Sequence, residues 1–317
     1  IYAGYIATEY YPVAPLLVNL GVRYEISKQW VDYYTDGGKA ERSELNKNDL
    51  FPSLNMKYQM NEKNSLRFAF SRTVTRPSFI EMAPFLYQES YGSAQIRGNA
   101  DLQNGYNYNI DLRYELFEKN GDMLSITAYY KHLKAPIERV QTLSGGSAVH
   151  SFRNADNGMA TGVEIEFRKE IVKDLRFGVN GSYMYTNVKL PEGGAYTNSQ
   201  RALQGASPYL ANADLTYSPA FSNDRQLSVA LLYNLQGPRI HSVGISGLGD
   251  IKQQPVHTLN FTGSYRFNRR FAVKLQVNDL LNQDILFKQE VPTTGDKVEV
   301  ERFRKGTGFE VGFSYDL

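Results

Sequence analysis

The residues whose chemistry suits ligand binding are histidines, aromatics and arginines that fall between the regular segments of the chain. Imidazole can coordinate a metal or haem, aromatic rings can stack on sugars, catechols or peptide side chains, and guanidinium groups can grip anions. The candidates are Trp30, Tyr33, Tyr34, Phe85, Tyr87, Tyr91, Arg97, His150, Arg153, Arg239 and His241, with Arg201 among the same loops. Each has an ordinary interpretation as well: a solvated loop charge, or an aromatic that packs loops or belongs to an interfacial girdle.

Glu164 and Glu166 are two carboxylates whose spacing puts both on one face of a strand. Such a pair could act as acid and base, but an enzyme would also need a nucleophile or a metal beside it, and the sequence indicates neither. We expect them instead to pair with Arg113 or Arg168 on neighbouring strands and to brace the sheet. No cysteine, phosphate loop, dinucleotide fingerprint or zinc spacing is present, so we predict no catalytic residue, cofactor or metal.

Composition excludes several classes of protein. The 317 residues carry 35 Lys and Arg against 33 Asp and Glu, a balance that lacks the basic excess of a nucleic-acid-binding protein. Tyrosine and phenylalanine are abundant, at 23 and 17, yet no run approaches the roughly 20 apolar residues of a membrane helix. The chain is therefore either a soluble β-protein or one that crosses a membrane as strands.

Apolar and polar residues alternate over about ten positions at a time, as in FAVKLQVNDLL (271–281), LNFTGSYRF (259–267) and YNYNIDLRYEL (106–116). A tilted membrane strand needs about 9–11 residues, whereas soluble strands average about 5–6. Charges such as Asp111 and Lys274 lie at strand centres on the polar face, as expected for a wet lumen. The pattern favours an all-β, antiparallel transmembrane barrel over a soluble sandwich.

We predict about thirteen strands: 1–11, 15–26, 52–60, 64–75, 105–118, 122–134, 158–170, 174–187, 207–218, 225–237, 256–267, 271–281 and 307–317. Every second connection is short, and the long ones are 28–50, 77–104, 135–157, 188–205, 239–254 and 283–306. Bacterial outer-membrane barrels have this parity, with short periplasmic turns and long extracellular loops, and their strand numbers are even. An odd count predicts that residues 1–317 are the trailing part of a larger barrel.

Five segments resemble, in family order, the C-terminal barrel of TonB-dependent outer-membrane receptors. They are FAFSRTVTRPSF (68–79), IRGNADLQNGYNYNIDLRYE (96–115), NADNGMATGVEIEF (154–167), SPYLANADLTY (207–217) and VNDLLNQ (277–283). Ala100 stands where the family usually has proline, and the chain ends in Asp316-Leu317 where such proteins often end in an aromatic residue. The resemblance covers about residues 15 to 317.

The resemblance implies a barrel of 22 strands with an N-terminal plug inside it, in the bacterial outer membrane. The thirteen strands would then be strands 10 to 22, and the plug and the TonB-contact segment would lie outside this chain. It also implies active import of a siderophore, haem, cobalamin, glycan or peptide captured by the loops. The implied partners are outer-membrane lipid, the imported ligand, TonB through the N-terminal region and, in some receptors, a surface lipoprotein.

Two other functions stay open from the sequence. A passive porin or fatty-acid channel of about 14 strands would share the alternation and the turn parity. An outer-membrane enzyme would use Glu164 or Glu166.

Overall fold

The computed structural model describes residues 1–35, 37–88, 95–144, 147–190, 197–221, 224–244 and 247–316. Its strands in chain order are β1 (Tyr2–Val13), β2 (Leu16–Tyr34), β3 (Ala40–Gln59), β4 (Asn64–Thr75), β5 (Leu86–Tyr87), β6 (Ile96–Arg97), β7 (Gly105–Phe117), β8 (Met123–Lys134), β9 (Ile137–Ser144), β10 (Ser147–Asn154), β11 (Asn157–Val172), β12 (Leu175–Lys189), β13 (Gln200–Arg201), β14 (Tyr209–Tyr217), β15 (Gln226–Gln236), β16 (Arg239–Ser242), β17 (Ile251–Gln253), β18 (Val256–Arg266), β19 (Phe271–Asn278), β20 (Ile285–Glu290), β21 (Lys297–Phe303) and β22 (Gly308–Tyr315). A one-turn helix, α1 (Phe79–Met82), follows β4. No helix within these ranges is long and apolar enough to cross a membrane.

In the described part of the chain, thirteen antiparallel strands form one continuous large sheet. Their order is β1-β2-β3-β4-β7-β8-β11-β12-β14-β15-β18-β19-β22, and the short β13 pairs with β12 beside this path. Each of the thirteen predicted strands corresponds to one of them. Alternation with period two and local turn residues were sufficient to find them, because both signals lie within one strand or one hairpin.

The predicted parity of the connections is confirmed for the turns. Short turns follow β1, β3, β7, β11, β14 and β18. In the β7–β8 turn, Gly121 has φ 87°, a conformation that glycine adopts without strain, and its N–H donates to the Glu118 carbonyl at 3.0 Å. The opposite end of the large sheet, called the loop end below, carries the long connections.

The prediction of a loop over 28–50 is wrong. β2 and β3 continue as a paired hairpin as far as the Tyr34–Ala40 pair, and a short turn joins them. Cross-strand ion pairs stabilise the extension, between Lys28 and Glu44 at 3.2 Å and between Arg42 and Asp32 at 2.6 Å. Both faces of this stretch carry many polar residues, so the apolar alternation that marks a strand is absent from it.

Most of the remaining long connections are also folded. β5, β6, β10 and β9 form a four-stranded sheet, and β16, β17, β20 and β21 form another. A parallel bridge between Val140 and Val243 joins the two small sheets. The long loops therefore have a packed structure of their own at the loop end.

The two faces of the large sheet differ as predicted for a barrel wall. One face exposes apolar side chains such as Val163, Ile165 and Phe313. The other is polar: the Glu115 carboxylate accepts from Ser65 Oγ at 3.0 Å, from Arg67 Nε at 2.7 Å and from Arg113 Nε at 2.9 Å. A charged, hydrogen-bonded inner face and an apolar outer face fit lumen and lipid, respectively.

The two outer edges of the large sheet are open within the described residues, where β1 pairs only with β2 and β22 only with β19. β1 is exposed along its whole length. A long unpaired edge strand is a surface on which further strands pair.

Candidate ligand-binding surface

Three long connections pack against one another at the loop end. Their apolar residues form a cluster of Val140, Ala155, Val188, Leu190 and Val243, with Leu203 against it. A second cluster joins Ile96, Leu102 and Phe152. We call the β9–β10 hairpin together with the described residues of 96–104, 188–190, 197–208, 239–244 and 247–253 the loop assembly. Burial of these side chains from four separate stretches gives the assembly a hydrophobic core of its own.

A buried ion pair ties the hairpin of the loop assembly to β13. Arg201 Nη2 lies 2.6 Å from Glu138 Oε2, and the two side chains are only 4% and 1% exposed. Arg201 Nη1 also donates to the Ala202 carbonyl at 2.9 Å. Burial raises the pKa of the Glu138 carboxyl, while the Arg201 guanidinium opposes that rise.

Gln204 links β9 to β16. Its side-chain oxygen accepts from the Arg139 backbone N–H, and its side-chain nitrogen donates to the His241 carbonyl. Together with the Glu138–Arg201 pair, this contact fixes the relative positions of three connections.

His150 is a buried structural residue of the loop assembly. Its side chain is 3% exposed, Arg139 Nε donates to its Nδ1 at 3.0 Å, and its Nε2 lies 3.3 Å from Ser242 Oγ. His241 lies beside it, with ring centroids 6.2 Å apart, and packs edge-on against Phe287 at 4.9 Å. With both ring nitrogens engaged, His150 has no lone pair directed at a ligand.

We expect the loop assembly to lose stability as pH falls from about 6.5 to 4. Burial, with the charges of Arg139 and His241, lowers the pKa of His150 to about 4. In this pH window the folded assembly therefore binds fewer protons than the unfolded one. The full shift of the His150 pKa corresponds to about 3 kcal/mol of stability. This stability is present above the ordinary histidine pKa and is lost as pH falls. Hydrogen-exchange rates of the backbone amides of β9 and β10, divided by their intrinsic rates at each pH, measure this loss of stability.

The control for this pH dependence is His150→Gln, which should flatten the profile. Glu138 acts in the opposite direction, because its raised pKa favours the protonated form in the folded assembly. The difference between parent and variant isolates the histidine. An unchanged profile in His150→Gln would contradict the assignment.

The structure brings four of the predicted residues into one small sheet and a fifth beside it. β5, with Tyr87, pairs with β6, which carries Arg97, and β6 pairs in parallel with β10 at His150. Arg153 is an exposed residue of the same β10. Phe85, just before β5, lies with its ring centroid 5.9 Å from that of Tyr87. Tyr87 lies on the face of this sheet that packs against the Ile96–Leu102–Phe152 cluster, whereas Arg97 and Arg153 lie on the opposite face.

Arg97 also carries a buried donor. Its Nε makes no hydrogen bond with any residue in the described ranges.

Trp30, Tyr33 and Tyr34 lie on the extended hairpin rather than in a loop. Trp30 is flanked by Lys28 Nζ at 5.7 Å and Arg42 Cζ at 5.9 Å from its ring centroid. Tyr33 donates to Glu41 at 3.1 Å. Tyr34 is exposed near the hairpin tip.

The remaining predicted residues have separate positions. Arg239 Nε donates to Gln253 Oε1 at 2.7 Å within the second small sheet. Tyr91 lies outside the described residues.

The expected pairing of the two strand carboxylates is confirmed for one of them. Glu166 lies 2.8 Å from Arg168 and 3.6 Å from Arg113. Glu164 makes no ion pair with a described residue. In the described ranges, no group of three or more histidine, aspartate or glutamate side chains is arranged to hold a metal ion.

Sequence reasoning missed Glu138 and Gln204, the two residues that hold the loop assembly together. A charge or amide inside a polar loop has no periodic pattern around it, so its burial cannot be inferred locally. Glu138 contacts a residue that is 63 positions away in the chain.

Comparison with known proteins reveals one family and several structural relatives. The sequence profile of the outer membrane protein beta-barrel family matches residues 1–315. The ferric enterobactin receptor of Pseudomonas aeruginosa is 21% identical over 270 residues, which are 78% of this chain and 35% of that receptor. The ferric yersiniabactin uptake receptor FyuA of Yersinia pestis superposes with a TM-score of 0.68 at 14% identity, over 99% of this chain and 45% of FyuA. The copper transporter OprC superposes with a TM-score of 0.67 at 13% identity, over 99% and 48%.

The chain spans about a third of the length of the curated relative and less than half of these two solved structures. At such identities the structural likeness shows the fold, an outer-membrane β-barrel. The relatives are two receptors and a transporter rather than enzymes.

Proposed function

We propose that this chain, which belongs to the outer membrane protein beta-barrel family, is part of a TonB-dependent receptor that actively imports a scarce solute. Its family and relatives place it in the bacterial outer membrane. The observation that supports import best is the loop assembly: folded, internally hydrogen-bonded connections at the loop end of a barrel wall. A packed surface at that end presents fixed groups to a solute before it enters the lumen.

The thirteen strands of the large sheet are, in this proposal, strands 10 to 22 of a 22-stranded barrel. The open edges of β1 and β22 support it, since each can accept another strand. The first connection is a short turn and the last is long, which fits the numbering of such a barrel. The plug and the TonB-contact segment then belong to the preceding part of the protein.

The capture surface, in this proposal, is the outer side of the β5–β6–β10–β9 sheet. Arg97 and Arg153 on this side offer charge-assisted hydrogen bonds to an anionic group, and the exposed Phe85 beside β5 offers a ring for stacking. Trp30, Tyr33 and Tyr34 on the β2–β3 hairpin are a second aromatic group near the same end.

A metal chelate with aromatic and anionic groups suits the capture surface best. The relatives fit this chemistry by name, since two are receptors for ferric siderophores and one is a copper transporter. Haem, cobalamin, a glycan or a peptide would use the same rings with different polar contacts. His150 does not contribute a metal ligand in this scheme, because its nitrogens are engaged.

Uptake measured with and without the TonB system tests the proposal. Cells that carry the full-length protein should accumulate a radiolabelled ferric siderophore, and accumulation should fall to background when TonB is deleted or a protonophore is added. Uptake indifferent to both treatments would overturn active import.

Two further measurements test the capture surface and the closed state of the barrel. Arg97→Ala with Arg153→Ala should weaken binding of the chelate. Arg269→Ala is the control, because Arg269 is 84% exposed and lies in the β18–β19 turn, at the opposite end of the wall from the loops. Planar-bilayer conductance of the full-length protein separates a closed receptor from a passive porin or fatty-acid channel, which would conduct without energy.

A further inference from the structure

Two concave surfaces near the loop end share Tyr183 and Tyr185. One is an apolar groove of about 470 Å³, lined mainly by outward-facing residues of β7, β8, β11 and β12. The other is a polar cavity of about 610 Å³, lined by β12 together with residues before β14 and from β13, β16 and β17. We call them the outer groove and the rim cavity.

The outer groove lies on the lipid-facing side of the wall. Leu112, Ala128, Val163 and Tyr183 are successive partners across the four strands and form one row of it. Tyr183 is 65% exposed. The next row toward the loop end contains Tyr130 and Tyr185, whose side chains also face outward.

The outer groove sits at the extracellular boundary of the bilayer. Tyr183 is the ninth residue and Tyr185 the eleventh of β12, counted from the periplasmic turn at Leu175. A tilted strand crosses the hydrocarbon in about 9–11 residues, so these rings lie at the headgroup level. Tyrosine is enriched there because its ring is apolar and its hydroxyl is wet.

The rim cavity exists because β12 and β14 separate. Their ladder ends at the pair of Tyr183 and Tyr209, and the last contact above it is from Met184 N–H to the Pro208 carbonyl at 2.8 Å. Proline has no N–H to continue the ladder. β12 pairs again only at Val188, with Arg201 of β13. The rim cavity is the space between these two pairings.

The rim cavity carries an excess of cations. Arg201, Arg239 and Lys252 line it, and Asp250 is its single acidic residue among the described lining residues. The Asp250 Oδ1 accepts from the Gly244 N–H at 2.9 Å. Arg239 and Lys252 form no ion pair with a described residue. With Arg201 paired to Glu138, Arg239 and Lys252 exceed the carboxylate of Asp250 by one positive charge.

One further feature of the rim cavity favours an anion. The Nε of Arg201 is buried and makes no hydrogen bond with any described residue. A bound anion would accept a hydrogen bond from this Nε.

We propose that the rim cavity and the outer groove together bind an amphiphile of the outer leaflet. Its phosphate headgroup lies in the rim cavity, where Arg239, Lys252 and the Nε of Arg201 donate to it. Its acyl chain lies along the outer groove against Val163 and Leu112. Arginine suits this task because its planar donors match phosphate oxygens. This site is separate from the capture surface and does not depend on the transport proposal.

Native mass spectrometry of the full-length protein tests the site. The protein is equilibrated with nanodiscs of phosphatidylcholine that contain phosphatidic acid and is then released into mild detergent. The parent should retain one phosphatidic acid in preference to phosphatidylcholine. The double variant Arg239→Gln, Lys252→Gln should retain about tenfold less, because two charge-assisted contacts are lost.

The matched control is Lys297→Gln, Lys305→Gln, which removes the same charge from exposed positions of the last long connection and should retain lipid like the parent. Heat-modifiable mobility on gels checks that every variant is folded, and Lys252→Gln alone, at an exposed position, should give a smaller loss. Equal retention by parent and double variant would overturn the headgroup site. If inorganic phosphate displaced the lipid as effectively as soluble phosphatidic acid, the acyl chain would make no contribution and the proposal of an amphiphile would be wrong. Equal retention of phosphatidylcholine would also contradict it.

Discussion

Glu138→Ala is expected to reduce the free energy of unfolding of the loop assembly by about 3–5 kcal/mol. The substitution removes the carboxylate that lies 2.6 Å from Arg201 and leaves a guanidinium that is 4% exposed without its counter-charge. Burial of an unpaired charge is among the most costly single changes in a protein. Hydrogen exchange should show lost protection in β9, β10 and β13, with the large sheet unaffected.

A second variant separates the ion pair from a simple loss of packing. Glu138→Met with Arg201→Met replaces both charges by apolar side chains of similar size and should recover most of the protection. The exposed pair of Arg269 and Asp224 is the control, because Arg269→Ala should leave exchange unchanged. Equal protection in the parent and in Glu138→Ala would contradict the role of the pair.

Gly98→Ala is expected to release residues 96–99 from α1 and Ala83, within the connection between β4 and β7. An added Cβ at this position would lie 2.2 Å from the Ala83 carbonyl oxygen and 2.7 Å from that of Ile80, and both obstacles are backbone. The following residue holds the same contact, since the Asn99 N–H donates to the Glu81 carbonyl at 2.6 Å. These backbone atoms cannot move aside as a side chain would. We therefore expect Gly98→Ala to lower the free energy of unfolding by about 3 kcal/mol, at the upper end for overpacking.

Limited proteolysis measures the release. Cleavage within 76–104 should become fast in Gly98→Ala, and binding of a chelate should weaken with it because this connection carries Phe85, Tyr87 and Arg97. Gly181→Ala is the control, since its nearest neighbour would be at an ordinary 3.5 Å. Resistance like that of the parent would show that the contact at Gly98 does not hold the connection.

The barrel wall is the part of this protein that its sequence predicts. All thirteen strands of the large sheet were identified from alternation, and the short turns from local turn residues. The one large error, the segment 28–50, has a local cause. β2 and β3 leave the membrane at the loop end, where neither face contacts lipid, so their pairing depends on ion pairs such as Lys28–Glu44 rather than on an apolar face.

The candidate site was predicted only as a set of residue types in loops. The sequence indicated histidines, rings and arginines but could not tell which of them are structural. His150 is a clear example: its chemistry suits a ligand, yet burial and two hydrogen bonds make it part of a core. Phe85 and Arg153 are 68 positions apart, and only the β6–β10 pairing brings them to one small sheet.

The sequence by itself thus determined the strands, the order of long and short connections, the two faces of the wall and the family resemblance. These follow from the period of the side chains and from turn residues, which act within one hairpin. Tertiary structure alone decided that the loops pack, that Glu138 meets Arg201, and that Tyr183 joins an apolar groove to a cationic cavity. Such contacts join residues distant in the chain, and their free energy comes from mutual burial and charge pairing that no local pattern records.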